Sequence, residues 1–213
     1  MHLGDNTIPI AQAAVYGLAS GAVVSAGIKK YYRESKDRLD YKILSGVFTA
    51  FVFMVTIFEF PLPFGSCEHP TGTPLMSIFM GPVITPFLST VVLLLELLFK
   101  EGSIITLGAN VFSLGIVGGF VGWGVFKLLH KLKAGLFIAG FAAGFLGDIF
   151  VYLTTATQLA LGQMQGKSFL FYLMAFIPGQ VPLAIIEGLF TGLVLQFIYG
   201  RRREMLEEFR VTN

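Results

Sequence analysis

One cysteine, Cys67, stands among 213 residues. That excludes any disulfide within the chain and leaves the thiol free or available as a ligand. Charge is scarce too: 13% of residues are Asp, Glu, Lys or Arg against 54% hydrophobic, and mean hydropathy is +0.75. A soluble domain cannot hide that much apolar surface, so the composition points to an integral membrane protein. No alternating ten-residue pattern suggests a barrel, which leaves an all-α membrane domain. A net charge of +2 gives no reason to expect nucleic acid. His-Glu-x-x-His, Gly-x-Ser-x-Gly and carboxylates paired at helical spacing are all missing, so a membrane hydrolase lacks its usual parts. The segment Gly162-Gln163-Met164-Gln165-Gly166-Lys167-Ser168 imitates a phosphate-binding loop, but it has three residues between its glycines where the motif needs four, and it follows a span rather than a strand. The chain is therefore expected to be no enzyme, with any ATP hydrolysis supplied by partners. The beginning lacks the basic flank and cleavage site of a signal peptide, so Met1 is expected to persist, with the bulky His2 protecting it from removal.

Apolar runs near twenty residues follow one another along the chain and predict spanning helices. The first covers about 8–28 and carries Gly17, Gly21 and Ser25 at a four-residue repeat, a stripe that lets another helix approach closely. Packing within the chain and docking to another membrane subunit both fit it. The basic loop Lys29–Arg38 marks the cytoplasmic side, which puts the amino terminus outside. A second span, about 43–58, returns outward to Pro61 and Pro63. Residues 75–99 then pose a problem of count, because Gly81-Pro82 and Pro86 interrupt them. A short half-helix over 75–80 turning at Gly81-Pro82, with 84–99 climbing back, places every Lys and Arg except Lys100 and Lys167 in the cytoplasm. Broken helices at membrane depth belong beside a polar cavity or inside protein, so the kink points to a nearby site. Spans over 107–129, 135–159 and 181–199 follow, with an outer segment over 162–180. Gly115, Gly118, Gly119 and Gly122 imply very close neighbours for the first of these. The sum is one membrane domain, 1–213, of about seven segments, one of them re-entrant. It has an amino-terminal stretch over 1–8, a loop over 61–75, and a cytoplasmic carboxyl-terminal tail over 200–213.

Metal-binding chemistry gathers in two places. Gly65-Ser66-Cys67-Glu68-His69-Pro70-Thr71-Gly72-Thr73 sets a thiol, a carboxylate and an imidazole within three residues on the outer side. At Met1-His2 the α-amine, the His2 amide nitrogen and a His2 ring nitrogen can form fused chelate rings about one ion. The His69 imidazole would complete a square-planar four-nitrogen set suited to Ni(II), Cu(II) or low-spin Co(II). Cys67 is open to two readings, a thiolate ligand or a small buried loop residue. His130 falls on the cytoplasmic side and reads as an interfacial residue. Glu96, Asn110, Asp148, Gln158, Gln180 and Glu187 lie in apolar runs, so they are expected to face the bundle interior and brace the loop with hydrogen bonds. Asp5, Glu59, Glu68 and Glu101 make the outer face acidic, which favours a cation's approach.

Read together, Met1-His2 and the Gly65–Thr73 loop make the chain resemble the CbiM/NikM family, metal-capturing membrane subunits of energy-coupling-factor cobalt and nickel transporters. Leu107–Phe112, Gly147–Tyr152 with Gln158–Leu161, and Pro182–Gly188 resemble that family's segments in matching order. The resemblance implies seven segments with the amino terminus tucked into the bundle, and metal held by Met1, His2 and His69. Cys67, Glu68 and Asn110 are expected around those ligands. It also implies that the ion is cargo and that no cofactor is needed. The partners it implies are two ATP-binding subunits, a transmembrane coupling subunit and a small CbiN-like membrane subunit, in the cytoplasmic membrane of a prokaryote. The wording of the loop is closer to cobalt members, with uptake serving cobalamin biosynthesis. Nickel uptake, a vitamin-binding capture subunit and a membrane metal sensor are the alternatives.

Overall fold

In hydrocarbon a backbone must satisfy its own polar groups, and a helix does so within one segment. The apolar runs accordingly fold as helices in the computed structural model, which describes residues 2–61, 67–99, 102–209 and 211–212. In chain order the elements are α1 (Ile10–Ser35), α2 (Leu39–Thr56), the short strands β1 (Phe60–Pro61) and β2 (Cys67–Glu68), α3 (Thr73–Met80) and α4 (Thr85–Glu96). These are followed by α5 (Leu107–Asn110), α6 (Gly119–Lys131), α7 (Leu136–Gly162), α8 (Phe169–Arg201) and α9 (Arg203–Glu208). Strands β1 and β2 pair antiparallel, Phe60 opposite Glu68 and Pro61 opposite Cys67. Among the described residues five helices are long and apolar enough to cross a membrane: α1, α2, the continuous run Leu107–Lys131, α7 and α8.

Helices α3 and α4 form the broken element. Gly81 adopts φ 82°, a conformation that suits glycine, and Ile84 donates its N–H to the Gly81 carbonyl at 3.2 Å. The tip between the helices lies at the basic end of the bundle, in a cleft shared with Lys30, Arg38, Lys127 and Glu208. Both outer ends, Thr73 and Glu96, return to the neighbourhood of His2. All eight residues of α3 are buried. Its Pro74 is wedged between two glycines of neighbouring helices: a methyl at Gly122 would lie 2.7 Å from Pro74 Cβ, and one at Gly147 2.6 Å from Pro74 Cγ. The expected close approach of the 115–122 glycines is thus toward α3 and α4.

One feature departs from the sequence reading and two add to it. The segment over 162–180 is not separate from the last span, because α8 runs unbroken for 33 residues with Pro178 and Pro182 inside it. A membrane helix tolerates such prolines where neighbouring protein encloses it; just before Pro178, the Tyr152 hydroxyl of α7 contacts the Leu173 carbonyl. The Gly17, Gly21 and Ser25 stripe meets the rest of the chain at Gly17, where a methyl on Gly108 of α5 would lie 2.4 Å from Gly17 Cα. Nothing stands within 4 Å of a methyl built on Gly17 or Gly21, and the buried face of α1 is Ala13, Ser20, Gly27 and Ser35. Residues Val111–Gly118 are π-helical. The wider ladder leaves nearby carbonyls to side chains: Ser20 donates to Gly108 O at 2.7 Å and Gln158 to Ala109 O at 3.0 Å.

At the basic end α9 folds back under the bundle. Leu206 and Val211 are wholly buried, Lys127 donates to Val211 O at 3.1 Å, and Arg38 pairs with Glu208 at 3.1 Å.

Candidate metal centre

The amino-terminal segment enters the bundle because its own backbone is met by polar side chains from 103–110. Asn110 is the main clamp, accepting from Leu3 N–H at 2.8 Å and donating to Leu3 O at 3.2 Å. Thr106 donates to the same carbonyl, and Ser103 contacts Asp5. Leu3 and Ile8 bury themselves among Ala109, Leu114, Tyr152 and Leu159. These contacts hold His2 inside the protein, 3% exposed.

The second component arrives on the loop after β2. Successive strand residues face opposite ways, so Cys67 turns toward His2 while Glu68 turns toward α8, where its carboxylate fills the space a Gly179 side chain would need. Glu187 of α8 then fixes the loop beyond: its carboxylate accepts from Thr71 N–H and Thr71 O–H at 2.7 Å each, and from Gly72 N–H at 2.9 Å. Gly72 occupies the left-handed region, φ 65°, and opens α3.

Between these anchors, one donor atom each from His2, Cys67 and His69 come within 4.8 Å of one another, all three residues buried. The imidazole centroids lie 4.4 Å apart. His69 Nδ1 is 2.8 Å from Pro70 O. A carbonyl only accepts, so Nδ1 carries the proton and Nε2 keeps its lone pair. That Nε2 is buried without a hydrogen-bond partner, as a ligand nitrogen must be. His2 N–H donates to Cys67 Sγ at 3.2 Å. On the His2 ring, Nδ1 lies 3.8 Å from a Glu59 oxygen and Nε2 3.0 Å from a Glu96 oxygen. Burial and the local positive charge push the His2 pKa down, but Cys67 and Glu59 push it up further, so the ring holds its proton above the ordinary histidine range. Burial raises Glu68 as well.

Of the residues expected in the site, the structure brings His2, Cys67 and His69 together, with Asn110 supporting them. Glu68 is nearby in sequence but faces α8. Met1 lies outside the described residues, as do Gly65, Ser66 and Glu101. His130 is distant, stacked on Phe126 and 3.4 Å from Thr212 O. The six polar residues of the apolar runs are all buried at 4% exposure or less, and each meets a partner: beyond those named, Gln180 donates to Asp148 at 2.6 Å. Two contacts of the His2 ring, Glu59 and Glu96, were not expected as part of the centre. A lone carboxylate near the end of an otherwise apolar run was the only available signal for Glu96.

The centre also places the chain among known proteins. Residues 2–205 match the family model described as CbiM, the cobalt uptake substrate-specific transmembrane region. A cobalt transport protein CbiM of Geobacter sulfurreducens is 35% identical over 219 residues, covering all of this chain and 63% of that protein. Its counterpart in Sorangium cellulosum is 35% identical over 100% of this chain and 97% of its own. That of Streptomyces coelicolor is 38% identical over 93% and 88%. A solved transition metal transporter is 26% identical and superposes with a TM-score of 0.87 over 100% of both chains. Five membrane-length helices and these likenesses make it a multi-pass membrane component of metal uptake, and it belongs to the CbiM family.

Proposed function

We propose that this chain captures Co(II), with Ni(II) as the second reading, at the outer face of the cytoplasmic membrane of a prokaryote and delivers it inward for cobalamin biosynthesis. In this reading it is the substrate-specific subunit of an energy-coupling-factor transporter, with ATP-binding, coupling and small CbiN-like subunits as partners. The observation that carries the reading is the buried cluster of His2, Cys67 and His69, with a ring nitrogen of His69 left unpaired. The ion is substrate, held by the Met1 amine, the amide and ring nitrogens of His2, and His69 Nε2. Such a nitrogen set suits cobalt and nickel over oxygen-seeking magnesium or calcium. The α3–α4 hairpin supports a count of seven segments when added to the five long helices. The basic residues around its tip and around α9 support a cytoplasmic position for that end and an outward position for the metal centre.

The test is metal content and affinity of the purified chain. One residue added before Met1 converts the amine to an amide, and binding is expected to be lost. His69→Ala should abolish binding, while Cys67→Ser should cost far less. An extended chain that binds normally refutes the amine ligand, and the reverse order for the two substitutions puts sulfur in place of His69.

A further inference from the structure

We infer that Glu96 is the positioning residue of the metal centre: its carboxylate accepts from the His2 ring nitrogen that faces away from the ion and fixes the ring for chelation. The inference rests on the His2 ligand reading above. Its starting point is chelate geometry. A ring closed through the His2 amide nitrogen, Cα, Cβ and Cγ reaches Nδ1 as its sixth member, whereas Nε2 lies on the far side of the imidazole. If Nδ1 binds the ion, Nε2 must carry the proton and needs an acceptor, because a buried N–H without one is costly.

A carboxylate stands within reach. Glu96 Oε2 lies 3.0 Å from His2 Nε2, an ion-pair contact whose alignment falls short of a hydrogen bond, and both side chains are buried, at 1% and 3% exposure. The other carboxylate oxygen, Oε1, meets the Thr56 hydroxyl of α2, so Glu96 is itself oriented from a second helix. A carboxylate this deep in an apolar helix is expensive to keep, and no basic side chain stands beside it among its described partners. What it contacts is the ring of His2. Below the pair lies a cavity of about 10 Å³, bordered by the unpartnered hydroxyls of Thr73 and Ser89. That is room for about one water, so no larger group competes for Nε2. The opposite side of the ring differs in distance: Nδ1 faces a Glu59 oxygen at 3.8 Å, against 3.0 Å between Nε2 and Glu96. The two ring nitrogens thus have separate surroundings, Nε2 against Glu96 and Nδ1 toward Glu59. A carboxylate behind a ligating histidine fixes its tautomer and strengthens it as a donor.

The experiment titrates purified full-length chain with Ni(II), reading both affinity and the ligand-field absorption of the loaded protein, and follows thermal melting of the metal-free chain. Glu96→Ala is expected to weaken Ni(II) binding about ten- to a hundred-fold and to move the ligand-field band to longer wavelength, as a weaker imidazole donor requires. Glu96→Gln keeps an acceptor oxygen and should recover part of both. Wild-type affinity and an unmoved band in Glu96→Ala overturn the inference. So do equal losses in the Ala and Gln variants with the band unmoved, which mark a purely structural role. If Glu96→Ala does not fold, Glu96→Gln decides alone: a shifted band with unchanged metal-free melting supports the role, and an unmoved band overturns it. His2→Ala separates the two readings. If it binds Ni(II) normally, the ligand set and this inference fall together. If it loses Ni(II) while Glu96→Ala keeps it, only the inference falls.

Discussion

The two ends of the bundle hold their charged groups in opposite ways. At the metal end, Glu187 and Glu96 are at most 4% exposed, and each meets backbone amides, a hydroxyl or an imidazole. At the basic end Arg38 pairs with Asp40 and Glu208, all three between 35% and 51% exposed. A buried acceptor cannot be replaced by water when it is removed, so its loss strands every donor that pointed at it. An exposed pair exchanges one solvated arrangement for another and gains little. Position relative to water, and not the number of contacts, decides which end is brittle.

Glu187→Ala is the most direct way to break that contrast. Thr71 N–H, Thr71 O–H and Gly72 N–H would all be left buried without an acceptor, a loss of about 3 kcal/mol or more. The loop carrying His69 should loosen with it. Thermal melting in detergent should fall sharply, and metal affinity should drop even though no ligand has been touched. An unchanged melt would mean that the loop is held by packing alone.

Acidity sharpens the comparison with a smaller effect. A histidine binds an ion only as the neutral ring, and the His2 ring holds its proton above the ordinary histidine range. A raised pKa means the protonated form persists to higher pH. Metal affinity should therefore be level in the alkaline range and decline as pH falls through the raised His2 value, by about tenfold per pH unit once protonation competes. Isothermal titration with Co(II) across pH 6–9 measures this, and affinity independent of pH would exclude His2 as a ligand. The smallest effect is expected at the other end, where Glu208→Gln should shift stability by less than about 1 kcal/mol. A large drop in melting would show that α9 depends on that pair rather than on buried Leu206 and Val211.

Much of the architecture was legible because hydrocarbon leaves few options. Apolar length located the long helices, and Gly81, Pro82 and Pro86 marked the hairpin, since proline and glycine act on their own backbone. The glycines at 115–122 correctly announced close neighbours. Features that depend on distant partners were hidden. The two prolines of α8 do not end that helix, because what surrounds a proline decides whether its missing bond matters. The stripe on α1 was visible as spacing, but spacing does not say which face turns inward. His2 and His69 were candidates by chemistry, yet Glu96 is 94 positions from His2, and only the folded chain places its carboxylate behind the ring. The turn of Glu68 toward Gly179 follows from strand alternation after Cys67, which could be applied only once β2 was known to be a strand.

Pro74 has a mechanical consequence. Its ring fills the gap between Gly122 of α6 and Gly147 of α7 with no slack on either side. It sits three residues after Thr71 and five after His69, at the first turn of a helix whose every side chain is enclosed. Any change in the spacing of α6 and α7 is therefore transmitted to that ring, and from it to the loop that carries His69. The proline is thus a rigid spacer between two helices: bulk added at Gly122 or Gly147 is expected to push on the start of α3, next to the loop that carries His69.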